Sequence, residues 1–341
     1  MTAQPIAPHP TAITAFIGAS PRGPRATPTR CARWGDFVTT FGDFAHSPRL
    51  AHAVHGFFLN GGDQCVVVNA PIEAALPEAL ATLQDAPGVT LVAAPGWSAP
   101  ESHEALLGHC EAAGSQLAIL DPPRELPGTG VDSLVRPRAS QSGALYFPWL
   151  RVHDPGTGEE VAQPPSGHVA GIFARVARER GVHYAPADAV VRGAVGLTWE
   201  VTQGEHDILH PRRINVIRTF TKRGVRIWGA NTLAEVGFRL IASKRLLDHV
   251  ALSVQEGTRW VAEAPRGDAT MKEVRAQVAA FLEGLWRDGV LPGGDGVGYT
   301  VRCDAGMQTP EVEAAGALVF EFGVSLGRPG RFVGMRVVHG G

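Results

Sequence analysis

Hydrophobic positions along this chain change rhythm from its first half to its second. Residues 11–18 alternate apolar and polar side chains and predict a strand, followed by a Pro/Gly-rich turn over 21–28. Ser47 and Pro48 read as N-cap and first residue of a helix with Leu50, Val54, Phe57 and Phe58 on one face and Gly61 as its stop. Cys65-Val66-Val67-Val68 follows as a buried strand. The pattern continues with an Ala/Leu helix near 73–84, a strand at 89–92, a helix at 102–113 carrying Leu106, Leu107 and Cys110, and a strand at 117–120. Strands that are apolar throughout, separated by helices, imply a parallel sheet covered on both faces.

Residues 121–142 are rich in Pro, Gly, Ser and Arg and read as a surface loop. Strand character returns over 144–150, and a helix opening at Pro165 sets Val169, Ile172, Phe173 and Val176 at helical spacing. Two strands then flank a Lys222-Arg223-Gly224 turn. Ile214, Val216 and Phe220 on the first, and Val225 and Ile227 on the second, alternate with polar neighbours, so each strand is expected to bury one face. A helix at 244–256 and a further strand at 257–261 complete that stretch.

Thr270 and Glu273 have capping-box spacing at the head of a helix of roughly 18 residues and 27 Å. Val274, Val278, Phe281, Leu282, Leu285 and Trp286 form its apolar stripe, which ends at Gly289, while Lys272, Arg275, Glu283 and Arg287 lie on the opposite face. Strands at 299–304 and 317–323 follow, then a terminal strand through Phe332, Val333, Met335, Val337 and Val338, beyond a Gly327-Arg328-Pro329-Gly330 break. The expected fold class is α/β: a mostly parallel sheet, a mixed α+β C-terminal core and a terminal strand arm. The expected divisions are a short first segment over 1–20, an α/β domain over 21–180, a C-terminal core over 181–326 and an arm over 327–341.

With 341 residues, 44% of them hydrophobic, the chain can close one large or two medium cores. Its 31 basic and 33 acidic side chains leave a formal charge of −2, and no basic cluster interleaves with aromatics, so neither nucleic acid nor direct membrane insertion is expected. The four cysteines, Cys31, Cys65, Cys110 and Cys303, contain no C-x-x-C pair and suit synthesis in a reducing cytoplasm. Residues 1–10 lack the basic-then-apolar pattern of a signal peptide.

Catalytic signatures are weak. Gly323-Val324-Ser325-Leu326-Gly327 matches G-x-S-x-G, but Arg328-Pro329-Gly330 forbids the helix a nucleophile elbow needs. Gly293-Gly294-Asp295-Gly296 lacks the lysine and helix of a phosphate loop and reads as a turn. His206 and His210 are spaced to share a metal on a helix, with Glu205 and Asp207 alongside, yet no third ligand stands at a recognisable distance. His103, His109 and Cys110 read as ordinary helix residues, and His52 and His55 as residues of an outer or partly buried helix side. Accordingly no catalytic residue, metal or cofactor is expected. An alternative of another class is a nucleotide- or metabolite-binding α/β enzyme, since a parallel sheet leaves crevices beyond its strand ends.

Several segments, in this order, resemble the contractile tail sheath family of phage tails and phage-like injection particles. They are Ala185-Pro186-Ala187, Asn215-Val216-Ile217-Arg218-Thr219-Phe220, Lys222-Arg223-Gly224, Trp228-Gly229-Ala230-Asn231-Thr232-Leu233 and Gly257-Thr258-Arg259-Trp260, with Phe57-Phe58-Leu59-Asn60-Gly61-Gly62 upstream. The resemblance covers about 11–338. It implies a non-enzymatic subunit forming hexameric rings stacked helically around an inner tube, with baseplate and cap proteins as further partners, that contracts to drive the tube through a target envelope. A contracting stack of this kind needs links that survive rotation and a tube contact that releases: the candidate link is an inter-subunit strand arm at Phe332, Val333, Met335, Val337 and Val338, hinged at Gly327, Pro329 and Gly330, with pairing inside its own domain as the alternative, and the candidate tube contact is the polar face at Lys272, Arg275, Glu283 and Arg287, with an ordinary solvated helix face as the alternative. Met1 to Pro10 carries no Ser-Pro-Gly-Val-Tyr-type arm, and on that ground a minor or terminal sheath paralogue at a baseplate or cap ring is the alternative within the family.

Overall fold

A computed structural model of the chain describes residues 4–292, 296–326 and 331–340. Two compact units are present, Pro10–Arg245 and Leu246–Gly341, the latter including the segment that ends at His9.

The larger unit contains strands β1 (Ile13–Gly18), β2 (Thr29–Cys31), β3 (Cys65–Asn69), β4 (Val89–Ala93), β5 (Leu117–Leu120), β6 (Gly143–Phe147), β7 (Leu150–His153), β8 (Glu160–Gln163), β9 (Ala194–Leu197), β10 (Ile214–Phe220) and β11 (Gly224–Ile227). Its helices are α1 (Trp34–Phe41), α2 (Pro48–Leu59), α3 (Leu76–Ala81), α4 (Pro100–Ala113), α5 (Ser166–Arg180) and α6 (Gln203–Leu209). An eight-stranded sheet runs in the order β11-β10-β6-β5-β4-β1-β3-β2. From β10 through β3 every pairing is parallel, and only the outer strands β11 and β2 are antiparallel. Alternate residues of each strand enter opposite layers: Phe16, Val67, Leu91, Ile119 and Tyr146 pack with α1, α2 and α5, while Ile17, Val68, Val92, Leu120 and Leu145 pack with α3, α4 and α6. Double coverage is what the unbroken apolar runs require.

On one face α2 and α5 cross at glycines one turn apart. A Cβ on Gly167 would lie 2.3 Å from the carbonyl oxygen of Ala53, and one on Gly171 would lie 2.3 Å from that of Phe57. Any larger residue would push the two helix backbones apart. A second sheet, ordered β8-β7-β9, is antiparallel and small.

The smaller unit holds most of α7 (Ile241–Gly257), then α8 (Asp268–Arg287), α9 (Pro310–Ala314) and a sheet ordered β12-β13-β14, with β12 at Tyr299–Arg302, β13 at Leu318–Ser325 and β14 at Phe332–His339. Val274, Val278 and Leu282 of α8, and Phe320 and Val324 of β13, are fully buried.

Several expectations need correction. The stretch expected as a strand at 257–261 is the end of α7 followed by a 3-10 turn at Arg259–Glu263. The loop over 121–142 is not all surface, because Val131 and Leu134 are buried and Arg212 donates to both of their carbonyls. The helix near 73–84 is α3 flanked by two 3-10 turns, and the strand over 144–150 is divided between two sheets. The N-terminal half of β10 is buried on both faces rather than one, with Ile217 facing one layer and Ile214 and Val216 the other. At α8 the N-cap is Gly267, and the Thr270 hydroxyl donates to the Pro265 carbonyl at 2.6 Å instead of capping. The division drawn between 180 and 181 falls inside the larger unit, since β10 pairs with β6.

Candidate functional site

The arm residues form β14. It pairs antiparallel with β13 of its own chain over eight positions, from Ser325↔Phe332 to Leu318↔His339. As the last strand in the β12-β13-β14 order, β14 leaves its outer backbone edge without a partner among the described residues. Its faces are thinly covered: Phe332 is 42% and Val338 55% exposed, and Val333, Met335 and Val337 are half-buried. The hinge residues Gly327, Pro329 and Gly330 lie outside the described residues.

One end of the strand is pinned. The Thr258 hydroxyl gives its single proton to the Val254 carbonyl at 2.6 Å, so it accepts from His339 Nε2–H at 2.7 Å. Burial pushes the His339 imidazole below its ordinary value and keeps it neutral. The neighbouring Trp260 indole donates to Gln277 of α8 at 3.0 Å. Within Gly257-Thr258-Arg259-Trp260, then, Thr258 secures the end of β14 and Trp260 secures the turn to α8. His339 fell outside the strand expected from alternation, and only its contact with Thr258 reveals it.

The four charged residues of α8 do not act as one patch. Lys272 and Arg275 are exposed, one helical turn apart, and neither has an ion-pair partner among the described residues. Roughly 16 Å further along the axis, Glu283 meets Arg287 at 2.6 Å and accepts from the Tyr299 hydroxyl at 2.6 Å. The Tyr299 hydrogen bond, aided by Arg287, holds the Glu283 carboxyl below its usual range. Free positive charge is therefore confined to the Lys272 end, and the Arg287 end is neutralised.

Residues weighed for chemistry fall apart in space. Ser325 is buried at the end of β13, and its backbone N–H donates to the Gly298 carbonyl at 2.9 Å, which is not the exposed strand-to-helix turn of a nucleophile elbow. Gly293, Gly294 and Asp295 lie outside the described residues. The His206 and His210 rings stack with centroids 5.5 Å apart, and no group of three or more His, Cys, Asp or Glu side chains converges among the described residues. His103 Nε2 meets the Asp121 carbonyl at 2.9 Å, and His52 is buried rather than outward-facing, against Asp154 at 3.2 Å. All four cysteines are buried free thiols. Among the described residues no helix is long and apolar enough to cross a membrane.

Two asparagines of the quoted segments have structural work that spacing did not reveal. Asn215 is fully buried and clamps the Asn231 backbone, accepting from its N–H at 2.7 Å and donating to its carbonyl at 2.8 Å. Asn60 does the same to Arg192 at 2.9 and 3.0 Å. A polar residue held at full burial is a usable sequence signal, but its partner is not.

Residues 137–233 match the family model described as the phage tail sheath protein central domain. The chain is 26% identical over 159 residues to the major tail sheath protein of Serratia phage KSP20, a stretch covering 46% of this chain and 40% of that protein. It thus spans about two fifths of the length of the curated relatives it matches. Among solved structures it resembles the sheath complex of the PVC extracellular contractile injection system in its contracted state, with a TM-score of 0.82 and 26% identity over 98% of this chain and 93% of that one. The contracted helical sheath of the anti-feeding prophage gives a TM-score of 0.81 at 25% identity, covering 97% of this chain and 94% of that one.

Proposed function

We propose that the chain is a sheath subunit of a contractile, phage-tail-like particle, a reading supported by the match of residues 137–233 to the phage tail sheath central domain and by its likeness to injection-system sheaths. Copies form hexameric rings stacked helically around an inner tube and bounded by baseplate and cap proteins. The stack shortens to drive the tube through a target envelope. No covalent step is part of the stroke: the extended lattice is kinetically trapped and converts to one that buries more surface.

The observation that carries this reading is likeness over nearly the whole chain to sheath assemblies of injection systems. Such a lattice needs links that survive rotation of rigid bodies, and β14 has the properties of one. In the particle it occupies the β13 edge of a neighbouring copy, with residues 327–330 as the hinge. Exchange re-forms the same eight register pairs, so its cost is low.

Glu321 and Arg336 are register partners across β13 and β14. A Glu321→Cys/Arg336→Cys variant, coexpressed with the tube protein and oxidised after assembly, should give rings or tubes by electron microscopy and a covalent ladder on non-reducing gels. Particles whose cross-links all lie within single chains would remove the arm assignment. Persistent monomers in the presence of tube protein would remove the sheath assignment.

A further inference from the structure

At the carboxyl ends of the parallel strands, an open cavity of about 560 Å³ is lined by the loops leaving β1, β3, β4 and β5 and by the first turn of α2. This is the switch point of the sheet: β3 and β4 flank β1 on opposite sides, so the loops leaving these strands diverge and open a crevice. Arg25, Arg49 and Arg124, all three exposed, are among its lining residues, and none has a carboxylate ion-pair partner among the described residues. The Arg49 guanidinium sits 5.7 Å from the centre of the Trp149 ring, which is itself fixed by an indole hydrogen bond to the Pro122 carbonyl at 2.8 Å.

The start of α2 adds neutral donors. Ser47 holds the N-cap position but caps nothing; it is 4% exposed, and its hydroxyl is buried without a hydrogen-bond partner. The backbone N–H groups of Arg49 and Leu50 also find no acceptor among the described residues. Asp121, whose charge Arg49 feels, does not satisfy the cavity, because its oxygens are taken by Ser166 N–H at 2.8 Å, Ser166 Oγ at 2.6 Å and Gly96 N–H at 2.9 Å. A second carboxylate, Asp43, is engaged by His46 Nδ1 at 2.7 Å.

We propose that this cavity binds the phosphate group of a small molecule, held by Arg25, Arg49 and Arg124 and by the backbone amides at the start of α2. A helix N-terminus with free amides attracts anions, and guanidinium forks match phosphate oxygens. A phosphate offers enough oxygens to meet these cations and the amides together, which the two oxygens of a carboxylate do not. The volume suits a small-ligand site and leaves room beyond the anion against Pro95, Trp97 and Trp149. None of its lining residues belongs to β14 or α8.

Titration calorimetry of the whole chain with inorganic pyrophosphate and with ADP, at constant ionic strength, tests it. One saturable site is expected, and Arg49→Ala and Arg124→Ala should each weaken binding at least about tenfold, the loss of one charge-assisted hydrogen bond. ADP binding more tightly than pyrophosphate would assign the remaining volume to the nucleoside; equal affinities would assign the site to the anion alone. Either outcome supports the proposal once circular dichroism shows the variants folded. Absence of binding at millimolar concentration, or binding unchanged by both arginine substitutions, overturns it. So does binding only of a glutamate-rich peptide, which would make the cavity a socket for a neighbour's acidic segment.

Discussion

β1 and β14 are both strands rich in apolar residues, yet the molecule treats them differently. All six residues of β1 are buried, with parallel neighbours on both edges and helices over both faces. In β14 only His339 is buried, one edge is open, and the exposed positions include Phe332 and Val338. A strand covered on every side can serve only as core. One held by a single neighbour can be moved at the cost of that neighbour's hydrogen bonds, which the proposed exchange with a second copy would restore.

Truncating matched aromatics tests the contrast most severely. Phe16 is fully buried and meets Phe57 edge to face at 5.5 Å, so Phe16→Ala should cost about 3–5 kcal/mol in urea unfolding. Phe332→Ala should cost under about 1 kcal/mol, because nearly half of that ring already meets water. Equal losses would make β14 as much core as β1 and end the comparison. Glycines give a smaller effect of the same kind. Gly167→Ala places a methyl against the Ala53 backbone and should cost about 1–3 kcal/mol. Gly334→Ala in β14 has open space around its Cβ and should be neutral or slightly stabilising in the same assay.

What the sequence made legible follows the same division. Strands β3, β4 and β5 announced themselves because burial on both faces demands unbroken apolar runs, and β1 and β14 did so by alternation. The misread segments are those whose conformation is set by particular side-chain hydrogen bonds that composition and spacing do not announce. Residues 257–261 have strand composition, but the Thr258 N–H and hydroxyl both turn back to the Val254 carbonyl and bend the chain into a 3-10 turn. Thr270 has capping spacing but donates to Pro265, and the helix begins earlier. The charged face of α8 was visible from periodicity, whereas its division was not, because Tyr299 reaches Glu283 from β12. The cavity beyond β1 was legible only as a general property of parallel sheets, since its arginines come from three separate loops and helix ends.

Histidines sharpen the comparison by pH. His168 on α5 is 3% exposed, its Nδ1 has no hydrogen-bond partner, and burial, with some help from His55 and His52, lowers its pKa from 6.5 to about 3. Because the folded value is the depressed one, the unfolded chain binds more protons between these limits. The stability is fully present above 6.5 and is lost as pH falls toward 3, with a slope of about 1.4 kcal/mol per pH unit. His168→Leu should flatten that slope in urea unfolding followed between pH 6.5 and 4.5. His339 is shifted in the same direction, so acid should also loosen the end of β14, and amide exchange at Val337 and Val338 should rise as pH falls once corrected for intrinsic rates.

The smallest effect on folding is expected where the functional consequence is largest. Lys272 and Arg275 are exposed and hold no ion pair among the described residues, so Lys272→Glu/Arg275→Glu should leave the unfolding midpoint unchanged. On the expected tube contact at this end of α8, the same reversal should impair sheath formation around the tube, because a tube patch that faces two cations would then face two anions. Arg287→Ala removes a cation already neutralised by Glu283 and should leave particle yield intact. A face that must release during contraction is better built from a few exposed charges than from apolar area, since such contacts are weak singly and are screened by salt. Raising the ionic strength during coassembly should therefore mimic the reversal in part for the native chain and add nothing to the double variant. Unchanged particle counts for Lys272→Glu/Arg275→Glu would move the tube contact off α8 altogether.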